Sequence, residues 1–336
     1  MTLRLVLSIV VAATAVLAEQ SPATQDQPDF ATWLEGVRAE ALTRGISPAT
    51  VSRALAEVKE PEAVVVARDR AQPEQVQSLD RYVAQRVSSQ VRRSAQTHAT
   101  KHARVLSQVE DTFGVSKSVI VAIWGLESNF GRFTGVRPTI TSLATLAYDP
   151  RRSTLFRNEL FHALTIIDQG HIPLEELKGS WAGAMGQPQF MPSSYLRHAV
   201  DFDGDGKANI WTSETDVFAS IANYLKNAGW VGGERWGREV RITKAVMARV
   251  EDAVPMRRTG CRAVREMTES RPLADWTRLG VVQANGTRLP RADMEASLVR
   301  GLTRHFLVYR NYDALIDYNC AHSYAISAGL LSDSLQ

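Results

Sequence analysis

Glu127 is the residue of this chain whose surroundings best suit acid chemistry. It lies near the end of an apolar helical pattern that begins after Ser116, a residue type that caps helices, and Gly131 follows it closely. Apolar neighbours and the negative end of a helix dipole both raise the pKa of a carboxyl group. A carboxyl group that stays protonated near neutral pH can act as a general acid toward a leaving oxygen. The alternative is a surface glutamate beside a glycine that ends a helix.

A block of small, amide-bearing and aromatic residues, the glycine-rich block, occupies positions 179–195. Gly183 and Gly186 allow the backbone to approach a ligand closely. The side chains that could donate hydrogen bonds or offer flat apolar faces are Ser180, Gln187, Gln189, Trp181, Phe190 and Tyr195. This mixture suits a sugar, which has hydroxyl groups at its edge and C–H groups on its faces. An irregular core loop with Pro188 and Pro192 as turn residues explains the composition equally well.

An Asp-rich loop spans residues 201–216. Asp201, Asp203 and Asp205 occupy positions 1, 3 and 5, and glycine occupies position 6, as at the start of an EF-hand calcium loop. Thr212 stands at position 12, where an EF-hand has a bidentate glutamate. Three closely spaced carboxylates repel one another unless a cation binds them. The alternative is an Asp/Gly turn before a helix, with Asp216 as the N-cap.

The elements that must position these residues are mostly helices. Apolar residues recur at helical spacing up to about residue 230. The pattern predicts a helix ended by Gly45, one started by Ser47-Pro48, and helices at about 74–92, 96–112, 117–129, 152–169, 216–228 and 312–332. Short β-like runs at 240–242, 281–282 and 306–309 lie between glycine and proline residues. The sequence therefore predicts an α+β, mainly α, fold with a small β-rich insertion.

The first 18 residues have the pattern of a secretory signal peptide. Arg4 precedes an apolar run over residues 5–17, which is shorter than the roughly 20 residues that span a bilayer as a helix. We expect cleavage after Ala18, a flexible leader over 19–28, and a soluble exported protein without a later transmembrane segment. A plain membrane anchor is the alternative. The absence of cysteine near Ala18 argues against a lipoprotein.

Charge and cysteine content exclude several functional classes. The 336 residues include 39 Lys plus Arg against 36 Asp plus Glu, so a net charge of +3 supplies no field that would favour nucleic acid. Two cysteines are too few for a disulfide scaffold or a cysteine-rich metal module. The chain is long enough for two domains or one large domain.

The motifs together resemble the lytic murein transglycosylase B family. The resemblance runs through the Glu127 helix, the glycine-rich block, the Asp-rich loop and the segment Tyr318-Asn-Cys-Ala-His-Ser-Tyr324. It implies a lysozyme-like helical catalytic core and a last helix that packs back on that core. The implied units are an N-terminal helical region at 29–115, the core at 116–237, a small β-rich domain at 238–310 and a C-terminal helix at 311–336.

The resemblance also implies a reaction. The family cleaves the β-1,4 bond between N-acetylmuramic acid and N-acetylglucosamine in peptidoglycan without water, leaving a 1,6-anhydromuramoyl end and using no catalytic cofactor. Glu127 matches the family's single acid/base, whereas most glycosidases use two carboxylates. It would protonate the glycosidic oxygen, with the 2-acetamido group stabilising C1, and then deprotonate the C6 hydroxyl that closes on C1. A hydrolytic muramidase and a non-catalytic murein-binding protein are the alternatives.

The family's sugar-binding positions correspond to residues in three parts of the sequence. They are Ser180, Gln189, Phe190, Tyr224, Tyr318, Asn319 and Tyr324. Arg151 and Arg152 fall where the family has basic residues along the cleft and could meet substrate carboxylates, although exposed arginine pairs are common on solvated surfaces. Leu155 departs from the family, because some members have a cleft tyrosine there.

The resemblance completes the metal site. The family's EF-hand-like loop has a shifted final ligand, which corresponds to Asp216, with Glu214 as a competitor. Lys207 would contribute its backbone carbonyl. The implied ion is a structural Ca²⁺ without a role in bond cleavage.

The remaining candidates are two cysteines and two histidines. Cys261 and Cys320 could form a disulfide in an exported protein, and two buried thiols are the alternative. His98 and His102 lack a third ligand nearby, so a packed or solvated pair is favoured over zinc. We expect a periplasmic monomer that binds peptidoglycan glycan strands and no nucleic acid, with cell-wall or secretion-apparatus proteins as candidate partners.

Overall fold

A computed structural model of the chain describes residues 27–71 and 77–336. The predicted signal peptide and most of the predicted leader lie outside the described residues. The helices before residue 115 are α1 (Phe30–Thr43), α2 (Pro48–Leu55), α3 (Ala63–Ala71), α4 (Leu79–Arg86), α5 (Ser89–Lys101) and α6 (Ala103–Phe113). Within the described ranges, no helix is both long and apolar enough to cross a bilayer.

The elements from residue 117 to 227 are mainly helical. They are α7 (Lys117–Ser128), β1 (Arg137–Pro138), α8 (Thr139–Tyr148), α9 (Ser153–Asp168), β2 (Lys178–Gly179), α10 (Pro192–His198) and α11 (Glu214–Asn227). β1 and β2 form a short antiparallel pair. The predicted helices at 117–129, 152–169 and 216–228 correspond closely to α7, α9 and α11.

Polar N-caps explain where the N-terminal helices start. The side chain of Ser47 accepts a hydrogen bond from the Thr50 amide, with Pro48 in the first helical position. The first three residues of the predicted helix at 74–92 lie outside the described residues, and the rest of the prediction is wrong, because Ser78 caps α4 and Ser88 caps a separate helix, α5. The predicted helix at 96–112 is also wrong, since α5 ends at Lys101 and α6 begins at Ala103, with His102 between them.

Residues 237–308 form a five-stranded antiparallel sheet and three further helices. The elements are β3 (Gly237–Arg241), α12 (Lys244–Ala253), α13 (Arg262–Arg265), β4 (Arg271–Pro272), α14 (Leu273–Leu279), β5 (Val282–Gln283), β6 (Glu295–Arg300) and β7 (His305–Val308). The strand order is β4-β6-β7-β3-β5, with Val240 opposite His305 and Leu298 opposite Leu307. These strands and helices bury a hydrophobic cluster of their own, which includes the fully buried Trp276.

The chain ends in two helices, α15 (Arg310–Tyr318) and α16 (His322–Asp333). The prediction of one helix over 312–332 is therefore wrong, and the break lies in the short connector that contains Cys320. The whole architecture, mainly helical with small antiparallel sheets, confirms the predicted α+β, mainly α, fold class.

Helix α7 lies at the centre of the main hydrophobic core. It is buried along almost its whole length, including Val119, Ile123 and Trp124, and it packs against α5, α6, α11 and α16. A helix enclosed on every side holds the residues of its last turn in a fixed place. Glu127 is in that last turn.

Candidate active site

The carboxyl group of Glu127 lies at the carboxyl end of α7. Asn129 ends the helix in the left-handed conformation, with φ of 50°, and its amide bonds back to the Gly125 carbonyl at 3.0 Å. Glu127 keeps part of its surface open, but the protein atoms around it desolvate the carboxyl group and raise its pKa to about 7. Contact with the Tyr324 hydroxyl and the charge of Arg86 oppose this rise. Glu127 can therefore be protonated or ionised near neutral pH.

Four aromatic residues, which we call the aromatic wall, lie together beside this carboxyl group: Phe190, Tyr224, Tyr318 and Tyr324. The ring centroids of Tyr318 and Tyr324 are 6.3 Å apart and nearly parallel, and those of Tyr224 and Tyr318 are 4.7 Å apart. Phe190 packs 5.7 Å from Tyr224. Burial and the charge of Glu127 raise the pKa of both Tyr318 and Tyr324. The structure thus brings the glycine-rich block, α11 and the last two helices together at Glu127.

The hydroxyl groups of the aromatic wall differ in their partners. Tyr318 donates to the Pro188 carbonyl at 2.7 Å, and Tyr224 donates to the Asp317 carbonyl at 2.9 Å. The hydroxyl of Tyr324 is buried, and among the described residues no group meets it in full hydrogen-bonding geometry. Its contact with Glu127 lowers the pKa of the carboxyl group. Tyr324 is therefore the wall residue that interacts most directly with the candidate acid.

The two glutamines of the glycine-rich block have different roles. Gln187 is buried, accepts a hydrogen bond from Trp124 Nε1 at 2.7 Å and donates to the Trp211 carbonyl at 3.0 Å. Gln187 therefore fixes the side chain of Trp124 on α7. Gln189 has a φ of 52° and donates from Nε2 to the carbonyls of Gly186 at 2.8 Å and Thr134 at 3.2 Å. The side chain of Gln189 thus hydrogen-bonds to the loop that follows Glu127.

Ser180 lies at the start of the same block, directly after β2. Its Oγ accepts hydrogen bonds from the amides of Ala182 at 3.3 Å and Ala184 at 3.1 Å. A hydroxyl that accepts two hydrogen bonds still has its own proton to donate. Ser180 can thus present a donor to a ligand.

The connector between α15 and α16 carries the remaining predicted cleft residues. Asn319 is exposed and follows Tyr318 directly. The next residue, Cys320, is paired with Cys261 in a disulfide that joins Cα atoms 6.5 Å apart. The disulfide therefore links the segment between α12 and α13 to the connector that follows Tyr318 and contains Asn319.

Arg151 and Arg152 have acidic partners. Arg151 bonds to Asp149 at 2.6 Å and to Asp69 at 2.9 Å, and Arg152 bonds to Asp69 at 3.0 Å. In the described part of the chain, none of their polar contacts is with Glu127 or the aromatic wall. A substrate carboxylate would have to share these guanidinium groups with Asp69 and Asp149. Leu155, at the position where some members of the resembled family have a cleft tyrosine, lies on α9 and is half exposed.

Sequence reasoning missed two residues of α4. Arg86 donates from Nη2 to the Leu126 carbonyl at 2.8 Å, and its guanidinium group lies 5.7 Å from the ring centre of Tyr82. The charge of Arg86 lowers the pKa of Glu127, and Tyr82 interacts with Tyr324. No local pattern marks these residues, because α4 reaches the site by packing against α16.

The Asp-rich loop brings three carboxylates together. One oxygen from each of Asp201, Asp203 and Asp205 lies within 4.8 Å of the others, and all three residues are exposed. Asp201 also accepts the amides of Gly204 at 2.7 Å and Gly206 at 2.8 Å, which folds the loop around the group. Hard oxygen donors in this arrangement fit a calcium ion.

Asp216 lies outside this group of three. It is buried, and its carboxylate accepts the amides of Phe202 and Asn209, each at 2.8 Å. It thus closes the loop from within, and its role as final ligand stays a prediction, as do those of Glu214 and the Lys207 carbonyl. The alternative in which Asp216 caps the next helix is wrong, because Ser213 caps α11.

His98 and His102 pack behind α7. The ring of His98 lies 4.6 Å from that of Phe130 and 5.0 Å from that of Trp124, and His102 lies 5.6 Å from Trp124. Burial lowers the pKa of both histidines. They support the helix that carries Glu127.

Comparison with known proteins shows the family of the chain. The family model described as the transglycosylase SLT domain matches residues 29–333. The membrane-bound lytic murein transglycosylase B of Escherichia coli (strain K12) is 46% identical over 132 residues, which are 39% of this chain and 36% of that protein. The aligned part thus spans about a third of that relative's length.

Two solved structures have a similar fold. SltB3 from Pseudomonas aeruginosa, in complex with NAG-NAM-pentapeptide, is 39% identical with a TM-score of 0.81, over 91% of this chain and 79% of that chain. Escherichia coli Slt35, in complex with calcium, is 25% identical with a TM-score of 0.74, over 93% of this chain and 94% of that chain.

Proposed function

The chain belongs to the family of the transglycosylase SLT domain, and from this premise we propose that it is a peptidoglycan lytic transglycosylase. It cleaves the β-1,4 bond between N-acetylmuramic acid and N-acetylglucosamine without water and leaves a 1,6-anhydromuramoyl end. The groups around the Glu127 carboxyl support the proposal. The groups that oppose the raised pKa of this carboxyl are Tyr324 and Arg86, and neither is a carboxylate. Among the described residues, no second carboxylate contributes to the pKa of Glu127, whereas retaining glycosidases have two carboxyl groups about 5 Å apart.

Glu127 acts first as an acid and then as a base. With a pKa of about 7, a large fraction of the carboxyl group is protonated near neutral pH and can protonate the glycosidic oxygen. The substrate's own 2-acetamido group stabilises C1 as the bond breaks. Ionised Glu127 then takes the proton from the C6 hydroxyl, whose oxygen closes on C1. The nucleophile belongs to the same sugar, so its effective concentration far exceeds that of a water molecule.

The surrounding residues bind the sugar. Ser180 donates its hydroxyl proton, and Tyr224 and Tyr318, the partly exposed members of the aromatic wall, present apolar faces to the pyranose rings. Gln189 and Asn319 provide neutral amides on either side of the wall. Arg151 and Arg152 meet carboxylates of the lactyl group or peptide stem. Tyr324, which is buried, keeps bulk water from its side of the Glu127 carboxyl group.

The Asp-rich loop binds a structural Ca²⁺ through Asp201, Asp203 and Asp205, with the Lys207 carbonyl and Asp216 completing the ligand set. The three converging carboxylates and the calcium complex of Slt35 support this assignment. To bind the ion, Asp216 would give up hydrogen bonds from the backbone amides of Phe202 and Asn209. Bond cleavage needs no cofactor.

The protein acts in the periplasm. Residues 1–18 have the composition of a signal peptide, and an oxidising compartment is where a Cys261–Cys320 disulfide persists. Thiol titration of the denatured protein tests the pairing: two free thiols in the exported, unreduced protein would contradict it.

Mass spectrometry of purified peptidoglycan digested by the wild-type protein tests the proposed reaction. Muropeptide products that lack the elements of water support the lytic transglycosylase. Reducing ends would instead identify a muramidase, and binding to peptidoglycan without any released product would identify a binding protein.

A further inference from the structure

The loop at residues 129–136, between α7 and β1, is held in place at several points. The Phe133 amide bonds to the Ser128 carbonyl at 2.9 Å, and Gln189 donates to the Thr134 carbonyl at 3.2 Å. Gly135 has a φ of 93° and packs so closely on Gly179 that a side chain there would overlap the Gly179 carbonyl. The loop that follows the candidate acid therefore has a fixed shape.

This fixed loop exposes two apolar side chains, which we call the apolar rim. Phe133 is 69% exposed and Val136 is 85% exposed. Exposed apolar groups contribute little to the stability of the fold, and single ones are common on protein surfaces. Leu302, in the turn after β6, is 79% exposed in the same way. The apolar rim differs from Leu302 in its position, because the rim lies beside the proposed sugar-binding residues.

Strand pairing places the rim beside the proposed sugar-binding residues. Arg137 is opposite Gly179 and Pro138 is opposite Lys178 in the β1–β2 pair. Gly135, which directly precedes Val136, lies against the start of the glycine-rich block, because a Cβ at Gly135 would be 2.6 Å from the backbone nitrogen of Ser180. Phe133 adjoins Thr134, whose carbonyl Gln189 holds.

Arg132, which directly precedes Phe133, is exposed and charged, whereas Ser180 and Gln189, the residues of the glycine-rich block beside the loop, have neutral side chains. Ser180 has a hydroxyl and Gln189 has an amide, and both suit an uncharged sugar better than a charged peptide. Arg137, which lies next to Val136, is already paired with Glu62 at 3.0 Å. Apolar side chains flanked by hydroxyl and amide groups match the C–H face and the hydroxyl edge of one pyranose ring.

We propose that Phe133 and Val136 form an outer subsite that binds the C–H face of a sugar ring in the glycan strand, next to the ring held by Ser180 and Gln189. This inference rests on the proposed function. The subsite adds affinity for strands long enough to reach it and takes no part in bond cleavage. Its loss therefore raises KM for long strands and leaves kcat unchanged.

The test compares the double variant Phe133→Ser, Val136→Ser with wild type and with Leu302→Ser as the matched control. The substrates are peptide-free glycan strands of several disaccharides and the shortest strand that is still cleaved. We expect KM for long strands to rise roughly fivefold in the double variant, about 1 kcal/mol of binding, with kcat and Tm unchanged. Neither the shortest substrate nor the Leu302→Ser control changes.

Three outcomes would overturn the subsite. KM for long peptide-free strands could stay at the wild-type value, it could rise only for peptide-bearing strands, or kcat and Tm could fall together on every substrate. Direct binding of the same peptide-free strands, measured by calorimetry in a Glu127→Gln background, separates this proposal from the proposed function. A wild type that releases no anhydro ends refutes the reaction, while weaker strand binding by the rim variant still supports the subsite.

Discussion

Arg86 donates a hydrogen bond of 2.8 Å from Nη2 to the carbonyl of Leu126, the residue before Glu127. The carbonyls of the last helical turn have no partner within the helix, so the guanidinium group of α4 satisfies one of those at the end of α7. The same contact brings a positive charge toward Glu127 and lowers its pKa against the effect of burial. An element remote in sequence thus fixes the candidate acid and adjusts its protonation.

Replacing Arg86 should move the pH profile of the reaction. A general acid is active while protonated, so activity falls as pH rises through the pKa of Glu127, about 7. Arg86→Gln removes the charge that lowers this pKa, and the alkaline limb of kcat should move upward by roughly one pH unit. Arg86→Lys keeps the charge and should keep the limb near its wild-type position. A limb that stays in place in both variants would contradict the electrostatic role.

Two tyrosines of the aromatic wall, Tyr318 and Tyr324, should respond differently to loss of the hydroxyl group. Tyr318→Phe leaves the Pro188 carbonyl without its donor and should lower the free energy of unfolding by about 1 kcal/mol. Tyr324→Phe removes a buried hydroxyl that lacks a full hydrogen bond, so stability should change by less than about 0.5 kcal/mol.

The Tyr324→Phe variant should instead change catalysis, because its hydroxyl lowers the pKa of Glu127. Its alkaline limb should move upward. Urea denaturation and a pH profile of both variants provide the measurement. Equal destabilisation with unchanged profiles would show that the hydroxyl of Tyr324 has only a packing role.

The close approach of Gly135 to Gly179 predicts a severe effect of a single methyl group. Gly135→Ala combines a left-handed backbone with an overlap between the new side chain and the Gly179 carbonyl, so unfolding should become easier by more than about 3 kcal/mol. Gly45→Ala is the matched control, since Gly45 also has a positive φ, 86°, but no atom lies within 4 Å. It should cost about 1 kcal/mol. Similar losses in thermal denaturation would contradict the packing of the loop against β2.

Calcium should stabilise the fold through the Asp-rich loop and should not change the rate of bond cleavage. Millimolar Ca²⁺ should raise the Tm of the wild type by several degrees, because a ligand that binds only the folded state stabilises it. Asp203→Asn should abolish this rise, and Asp111→Asn, an exposed residue on α6, should retain it. An equal rise in both variants would locate the ion elsewhere. The kcat of the wild type should be the same with calcium or with a chelator.

Local sequence patterns predicted the parts of the site that single elements determine. The apolar run before Glu127 predicted α7 and a raised pKa, because burial and helix position act within one element. The Asp spacing at 201–205 placed three carboxylates together for the same reason. Helix α8 was missed, since a helix buried on nearly all sides, Thr139–Tyr148, has little polar periodicity to detect.

Contacts between distant elements could not be predicted. Arg86 and Tyr82 reach the site only through the packing of α4 on α16. Gln187 and Gln189 are the same residue type two positions apart. The sequence does not show which of them accepts the hydrogen bond from Trp124, and in the fold it is Gln187. The carboxylate of Asp216 likewise accepts hydrogen bonds from backbone amides, and the spacing of the aspartates does not predict these bonds.

The products of peptidoglycan digestion in isotopically heavy water test the central claim, that Glu127 alone drives cleavage without water. The wild-type protein should release muropeptides that lack the elements of water and carry no heavy oxygen. Glu127→Gln should lose at least about a thousandfold of this activity and remain folded. Heavy oxygen at the muramic acid C1 of the wild-type products, or anhydro ends released at an undiminished rate by Glu127→Gln, would contradict the account.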